Sequence, residues 1–348
     1  MSGSIEPISG TPECLQECAE FLARFVADGE IRRPKKQDML VETWRERLHW
    51  WWGENPFRKE DSPLGFLMRN DESVIVGMNG LIPRDYRYGD QLIPGLISTT
   101  FFVRTEHRAE ALPLFMKIHR LAREYHMVDS TPGPEMQKIL SRFRYRHEKE
   151  AQEIYMPFRF RSLLPTTWAM AFCRLFVPSL QEAMSSGRLI QDSEKVQTIP
   201  QFTPSKIRPD LTREGIQWLC RSGVAPPIWI GQVDDLGNLL AYAFVRRMKL
   251  RWWMPTYHRV VEWGDVDPES RNLKNIVSRL VNYPAEFGIS PHSHALAFAD
   301  IGGEAPNWLA GFPRHRLSSK FHYAVSGRIE DPETQMVCYP QDGDRTLL

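Results

Sequence analysis

LISTTFFV (96–103), running on into RTEHRAEALPLF (104–115), is the stretch whose reading decides the fold. Its first part is β-branched, aromatic or small, the composition of a buried strand. Arg104 to Glu110 is polar and charged, and from Glu110 to Tyr125 the apolar residues Leu114, Ile118 and Leu121 fall on one helical face. The segment therefore predicts strand, turn and helix. Such a turn leaves the first amides of the helix without backbone acceptors, and those amides, with the helix dipole, favour an anion.

Upstream, Thr11–Asp28 is predicted to be a helix with Leu15, Phe21, Leu22 and Phe25 as its apolar positions, and Met39–Trp52 a second one ending in Trp50, Trp51 and Trp52. Gly65–Arg69 and Val74–Gly80 read as strands around an Asn70-Asp71 turn, and Pro83–Asp90 as the next hairpin region. Downstream, Met127–Ser130 is a brief strand, Pro134–Phe143 a short helix, and Glu153–Phe160 a closing strand. This order combines an antiparallel meander with a parallel crossover, so residues 1–160 are expected to form an α/β (α+β) domain.

The rest of the chain repeats the order. Residues 161–200 are expected to be a connector helix and linker, with loop-like composition continuing to Asp210. A second domain follows over 201–330: a helix at Gly215–Cys220, a hairpin of Pro227–Val233 and Asn238–Arg246, and a strand at Arg259–Gly264. Next come a helix at Ser270–Phe287, a strand at Ala295–Ala299, a short helix at Ala305–Phe312 and a final strand at Phe321–Ser326. EMQKILSRF (135–143) and EAPNWLAGF (304–312) align at an offset of 169 residues, shared by Gly133 and Gly302. Tandem duplication is the expectation, with two unrelated α/β domains as the alternative. Residues 331–348 read as a polar tail.

Composition bounds the function. The chain has 348 residues, 42% hydrophobic and 25% charged, and a formal net charge of +1. No global field demands nucleic acid or an anionic membrane, and no nucleic-acid partner is expected. The five cysteines (Cys14, Cys18, Cys173, Cys220 and Cys338) are scattered, which fits reduced thiols, and the N-terminus lacks the pattern of a signal peptide. A cytoplasmic protein is expected. WAMAFCRLFV (168–177) is too short to span a bilayer and reads as an amphipathic connector or an interfacial anchor. His292 and His294 in PHSH form half a metal site at best, with Asp300 the nearby carboxylate, and no metal is expected. RRMKLRWW (246–253) mixes basic and aromatic residues and reads as a solvated hairpin or a stacking surface.

FFVRTEHRAEALPLF (101–115) resembles the acyl-donor segment of the GCN5-related N-acyltransferase (GNAT) superfamily. Val103, Glu106 and Arg108 fall in register with its V-x-P-E-x-R-G-x-G-x-G pattern, and RFRYRH (142–147), through Phe143, resembles the strand start after the last helix. WWGENPF, GFLMRND and SVIVGMNG fit the early hairpin, so the likeness spans most of residues 40–160. It implies two tandem GNAT-like domains, each a mixed, mostly antiparallel sheet flanked by helices. It also implies acetyl-CoA or acyl-CoA as co-substrate and an amine acceptor on a sugar, amino acid or peptide, with a carrier-protein pantetheine as another donor.

By this likeness, Thr100, Phe101, Phe102 and Val103 would pair with the pantetheine arm through their backbone. Arg104, Arg108 and the amides of Ala109 and Ala111 would hold the diphosphate. Glu106 is the first choice of catalytic base, with His107 beside it and Asp129 at the end of the next strand. The departures are specific: Ala109, Ala111 and Pro113 replace the three glycines, and Pro113 has no amide to give. The family's tyrosine acid corresponds to Lys138, and to Asn307 in the second copy, while Tyr145 and Tyr155 are off-register. WGDVDPESRNLKNI (263–276) carries Arg271 but no glycines, so the second copy is not expected to bind CoA. Two rivals stand beside this reading. One is a Fem-like aminoacyl or peptidyl transferase, also a tandem GNAT fold. The other is a non-catalytic binding or scaffold protein that kept the fold.

Overall fold

The computed structural model describes residues 4–30, 36–129, 132, 134–143, 145–147, 152–157, 187–202, 205–222, 226–248, 256–267, 269–290, 293, 295–300, 305–312, 314–316, 322–324 and 336–337. They form two compact units. One is built on the residues up to 147 together with 322–324, the other on 152–316 together with 336–337. The segment 168–177, His292, His294, Cys173, Cys338 and most of 331–348 lie outside the described residues.

The first unit opens with strand β1 (Ser4–Pro7) and helix α1 (Pro12–Ala27). Thr11 caps α1, its hydroxyl accepting from the Cys14 N–H at 3.3 Å. Helix α2 (Val41–Leu48) runs into a π-helical turn, His49–Gly53, that buries Trp50, Trp51 and Trp52. β2 (Gly65–Arg69), β3 (Ile75–Tyr88) and β4 (Gln91–Val103) follow, then α3 (Ala111–Leu121), β5 (His126–Asp129), α4 (Pro134–Arg142) and β6 (Arg146–His147). Pro83 does not end its strand: β3 continues to a two-residue turn in which Gly89 takes φ 54°, and β4 returns from Gln91. The Pro83 carbonyl accepts instead from Asn55 Nδ2 at 2.9 Å.

The sheet order is β1-β2-β3-β4-β5-β15-β6, where β15 is His322–Ala324. Only β4 and β5 are parallel among these pairs. α3 and α4 cover one face, with Leu81, Leu96, Phe115, Ile118, Met127, Leu140 and Tyr145 packed together. Each such side chain removed from water contributes about 1.5–3 kcal/mol.

The second unit contains β7 (Gln152–Pro157), β8 (Arg188–Ile190), β9 (Arg208–Pro209), the helix Arg213–Cys220, β10 (Ile228–Val233), β11 (Leu239–Met248) and β12 (Tyr257–Asp265). The helix Arg271–Asn282, β13 (Ala295–Asp300) and β14 (Arg314–Arg316) complete it. Its sheet order is β14-β7-β13-β12-β11-β10-β8, with β12 and β13 the parallel pair. Leu273, Ile276, Val277, Leu280 and Val281 of the long helix pack on one face, as their spacing predicts. On β7, Glu153 is buried and accepts from the hydroxyls of Tyr155 at 2.5 Å and Tyr257 at 3.2 Å, and it pairs with Arg259.

Three assignments change. Residues 152–157, expected to close the first domain, pair with β13 and β14 in the second sheet. Residues 322–324, expected to close the second domain, sit between β5 and β6 in the first. A closing strand carries no local mark of its sheet; its partners are set by which edge the tertiary fold leaves open. Residues 188–190, placed in the linker, form the edge strand β8 on β10, with Ile190 buried.

Candidate functional site

β4 is paired for different lengths on its two sides. Toward β3 the ladder runs from Tyr88↔Gln91 to Gly77↔Val103. Toward β5, described as far as Asp129, the ladder runs from Gly95↔His126 to Ile97↔Val128, and β4 extends past it to Val103. A bulge lies at this point. Met78 opposes Phe102 and Gly80 opposes Thr99, leaving Thr100 and Phe101 of β4 against Asn79 alone. Thr100 takes φ 49°, a left-handed conformation that costs a β-branched residue free energy. Its Oγ1 accepts from the Gly80 N–H at 3.3 Å. A Cβ at position 80 would lie 2.9 Å from that oxygen, so the bulge requires glycine there.

A small pocket lies beside the β4–β5 pair of strands. Phe101, Phe115, Ile118, Met127, Val128, Met136 and Leu140 give it apolar walls, and Asn79, Ser98, Asp129 and Tyr145 bring the polar groups. Asn79 is 1% exposed. Its Nδ2 donates to Ser98 Oγ at 3.1 Å, while its Oδ1 is buried with no hydrogen-bond partner. Burial, and then the charge of Asp129, raises the Tyr145 phenol and keeps it protonated at neutral pH. The ring of His119 lies 5.7 Å from that of Tyr145, and burial, then the nearby Arg123, lowers its pKa.

The residues predicted to form the donor site separate here. Phe101 lines the pocket and Thr100 makes the bulge. Phe102 points to the other face and stacks on Phe25 of α1 at 4.9 Å, and Val103 packs with Met68, Val76 and Leu114. Of the three candidate catalytic groups, Asp129 lines the pocket. Glu106 is exposed on the 3₁₀ turn Thr105–Glu110, and His107 Nδ1 lies 3.6 Å from Glu110 Oε2; neither lines the pocket.

The turn itself is occupied. Glu30 Oε1 accepts from the Thr105 N–H at 3.2 Å, and its Oε2 accepts from Thr105 Oγ1 at 2.7 Å and Arg108 Nη2 at 3.0 Å. Arg104 Nη1 donates to Asp28 Oδ2 at 3.1 Å. The Thr105 hydroxyl, more than any other group, holds the Glu30 carboxyl below its usual range. The Ala111 N–H donates to the Arg108 carbonyl, and the Ala111 methyl packs against the core, while Ala109 is exposed. Sequence reasoning missed Glu30 and Asn79 and set Tyr145 aside as off-register, whereas it lines the pocket. The one signal for Asn79 is a lone amide in the apolar run VIVGMNGL (74–81).

This topology is shared with solved structures of very different sequence. A probable N-acyltransferase from Enterococcus faecalis V583 superposes with a TM-score of 0.58 at 9% identity, over 94% of this chain and 73% of that one. A GCN5-related N-acetyltransferase from Anabaena variabilis gives 0.55 at 11%, over 92% and 72%. The chain has the GNAT fold. N-myristoyltransferase from Saccharomyces cerevisiae, solved with bound myristoyl-CoA, gives 0.53 at 12%, over 98% and 88%. The sequence itself matches no protein-family model and no curated protein. Among the described residues, no helix is long and apolar enough to cross a membrane, and no group of three or more His, Cys, Asp or Glu is placed to hold a metal ion.

Proposed function

We propose that the chain is an N-acyltransferase that moves an acyl group from a pantetheine thioester to an amine, using the first unit. The observation that carries this is the pocket beside the β4–β5 pair, where the end of β4, apolar walls, a carboxylate and a phenol come together. A bound pantetheine thioester supplies the activated acyl carbonyl. The β4 edge beyond Ile97 offers backbone groups to the arm, as an added strand would use them. Asp129 takes a proton from the acceptor's ammonium, freeing the lone pair that forms the C–N bond. As the C–S bond breaks, the Tyr145 phenol gives its proton to the thiolate and regains one from the acylated nitrogen, leaving a neutral amide and a free thiol. The structure of N-myristoyltransferase with myristoyl-CoA supports a thioester donor for this fold.

The pantetheine end of acyl-CoA would meet a strand edge and apolar walls here; the diphosphate end meets a turn already engaged by Glu30. We further propose that the two units are copies of one ancestor. β5 and β13 begin 295 − 126 = 169 residues apart, the offset of the sequence repeat. The acceptor is an amine on a sugar, amino acid or peptide.

Thiol release from acyl-pantetheine in the presence of an amine panel tests the reading. Asp129→Asn is expected to lower kcat by about 10²–10⁴-fold. Glu106→Gln is expected to leave it unchanged. Full activity in Asp129→Asn would remove the carboxylate from the mechanism, and no thiol release with any amine would remove the activity.

A further inference from the structure

We infer that the donor is recognised by its pantetheine arm and that the 104–110 turn binds no diphosphate, because a carboxylate of the chain itself fills the anion position there. The inference rests on the N-acyltransferase reading above. Glu30 engages three of the groups that the turn offers an anion: the Thr105 N–H, the Thr105 hydroxyl and Arg108 Nη2. Arg104 is held by Asp28. A diphosphate arriving here would have to displace one carboxylate and lie near a second, with no gain in hydrogen bonds.

The second unit shows the same device built from other residues. At the end of β12, Asp265 Oδ2 accepts from the Leu273 N–H at 2.7 Å at the start of the long helix, and Oδ1 from Asn272 Nδ2 at 2.9 Å. In the first unit the carboxylate comes from far upstream; in the second it comes from the strand itself. In both, the anion position is satisfied internally. An unsatisfied group lies at the other end of the first unit's site. Asn79 Oδ1, buried in the pocket wall, lacks a donor, and a pantetheine arm carries amide N–H groups of the kind it needs. Recognition is therefore concentrated on the arm and acyl group, whatever carries them.

Calorimetric titration of the full chain with pantetheine, CoA and adenosine 3′-phosphate 5′-diphosphate tests this. The expected result is that CoA and pantetheine bind within about threefold of each other, and that the nucleotide gives no heat at about 1 mM. Glu30→Ala is expected to tighten CoA at least about tenfold while leaving pantetheine unchanged. CoA binding at least about tenfold tighter than pantetheine to the wild-type chain, or any binding of the nucleotide, overturns the inference while sparing the acyltransferase reading. Binding of neither CoA nor pantetheine sinks both. The wild-type comparison stands even where the variant fails to fold. A carrier protein bearing the same arm, run as a further titrant, separates the sources. Tighter binding than pantetheine assigns a protein-borne arm and equal binding a free one, and both support recognition by the arm.

Discussion

Asn79 carries an amide into a site where an aliphatic side chain would pack at lower cost. A buried acceptor without a donor costs about 1–3 kcal/mol. Asn79→Leu is therefore expected to leave folding stability unchanged or to raise it in chemical denaturation, while weakening pantetheine binding. A large loss of stability would mean that the amide serves the fold alone. His126 tests the same low-dielectric interior by pH. It is fully buried, and burial, then Arg146, pushes its pKa down to about 3, so the folded protein keeps it neutral. Below about pH 6.5 the unfolded chain takes up a proton that the folded one refuses. Stability is complete above that pH and falls as pH drops from 6.5 toward 3, by up to about 1.4 kcal/mol per pH unit for this one group. Denaturation midpoints across that range should show the slope, and His126→Gln should be shallower by about one proton.

At the scale of elements, β4 and its turn do the positioning. The bulge at Thr100 and Phe101 lies just past the last described β4–β5 pair, Ile97↔Val128. Gly80 makes it possible by letting Thr100 approach its backbone. Gly80→Ala sets a methyl against Thr100 Oγ1 and Thr99 Cγ2, and the nearest escape is to undo the bulge. The expected outcome is a destabilisation of about 1–3 kcal/mol with loss of thioester binding. Retained binding would show that the opening does not depend on the bulge. The strand, turn and helix of this segment were legible because β-branched composition and helical spacing are local signals. The occupant of the turn was not, because Glu30 reaches Thr105 and Arg108 from 75 and 78 residues away in the chain.

At the scale of the whole molecule, each sheet takes its closing strand from the opposite part of the chain. Tyr323, near the C-terminal end, is buried beside His126 in the first sheet at a ring distance of 5.9 Å. Tyr323→Ala is expected to cost about 3–5 kcal/mol. Hydrogen exchange should report the loss at β5, which pairs with this strand, more than at β12. Equal protection at both would contradict the pairing. By itself the sequence determined most of the succession of elements, the mixed sheets and the place where a strand meets a charged turn, since each of these is written in residues close together along the chain. Only the tertiary structure decided which sheet receives β7 and β15, that Asp129 shares a pocket with Tyr145 and Asn79, and that Glu30 closes the anion site. Those depend on backbone edges and polar groups finding partners in space, and a group's need for a partner does not say which distant residue will supply it.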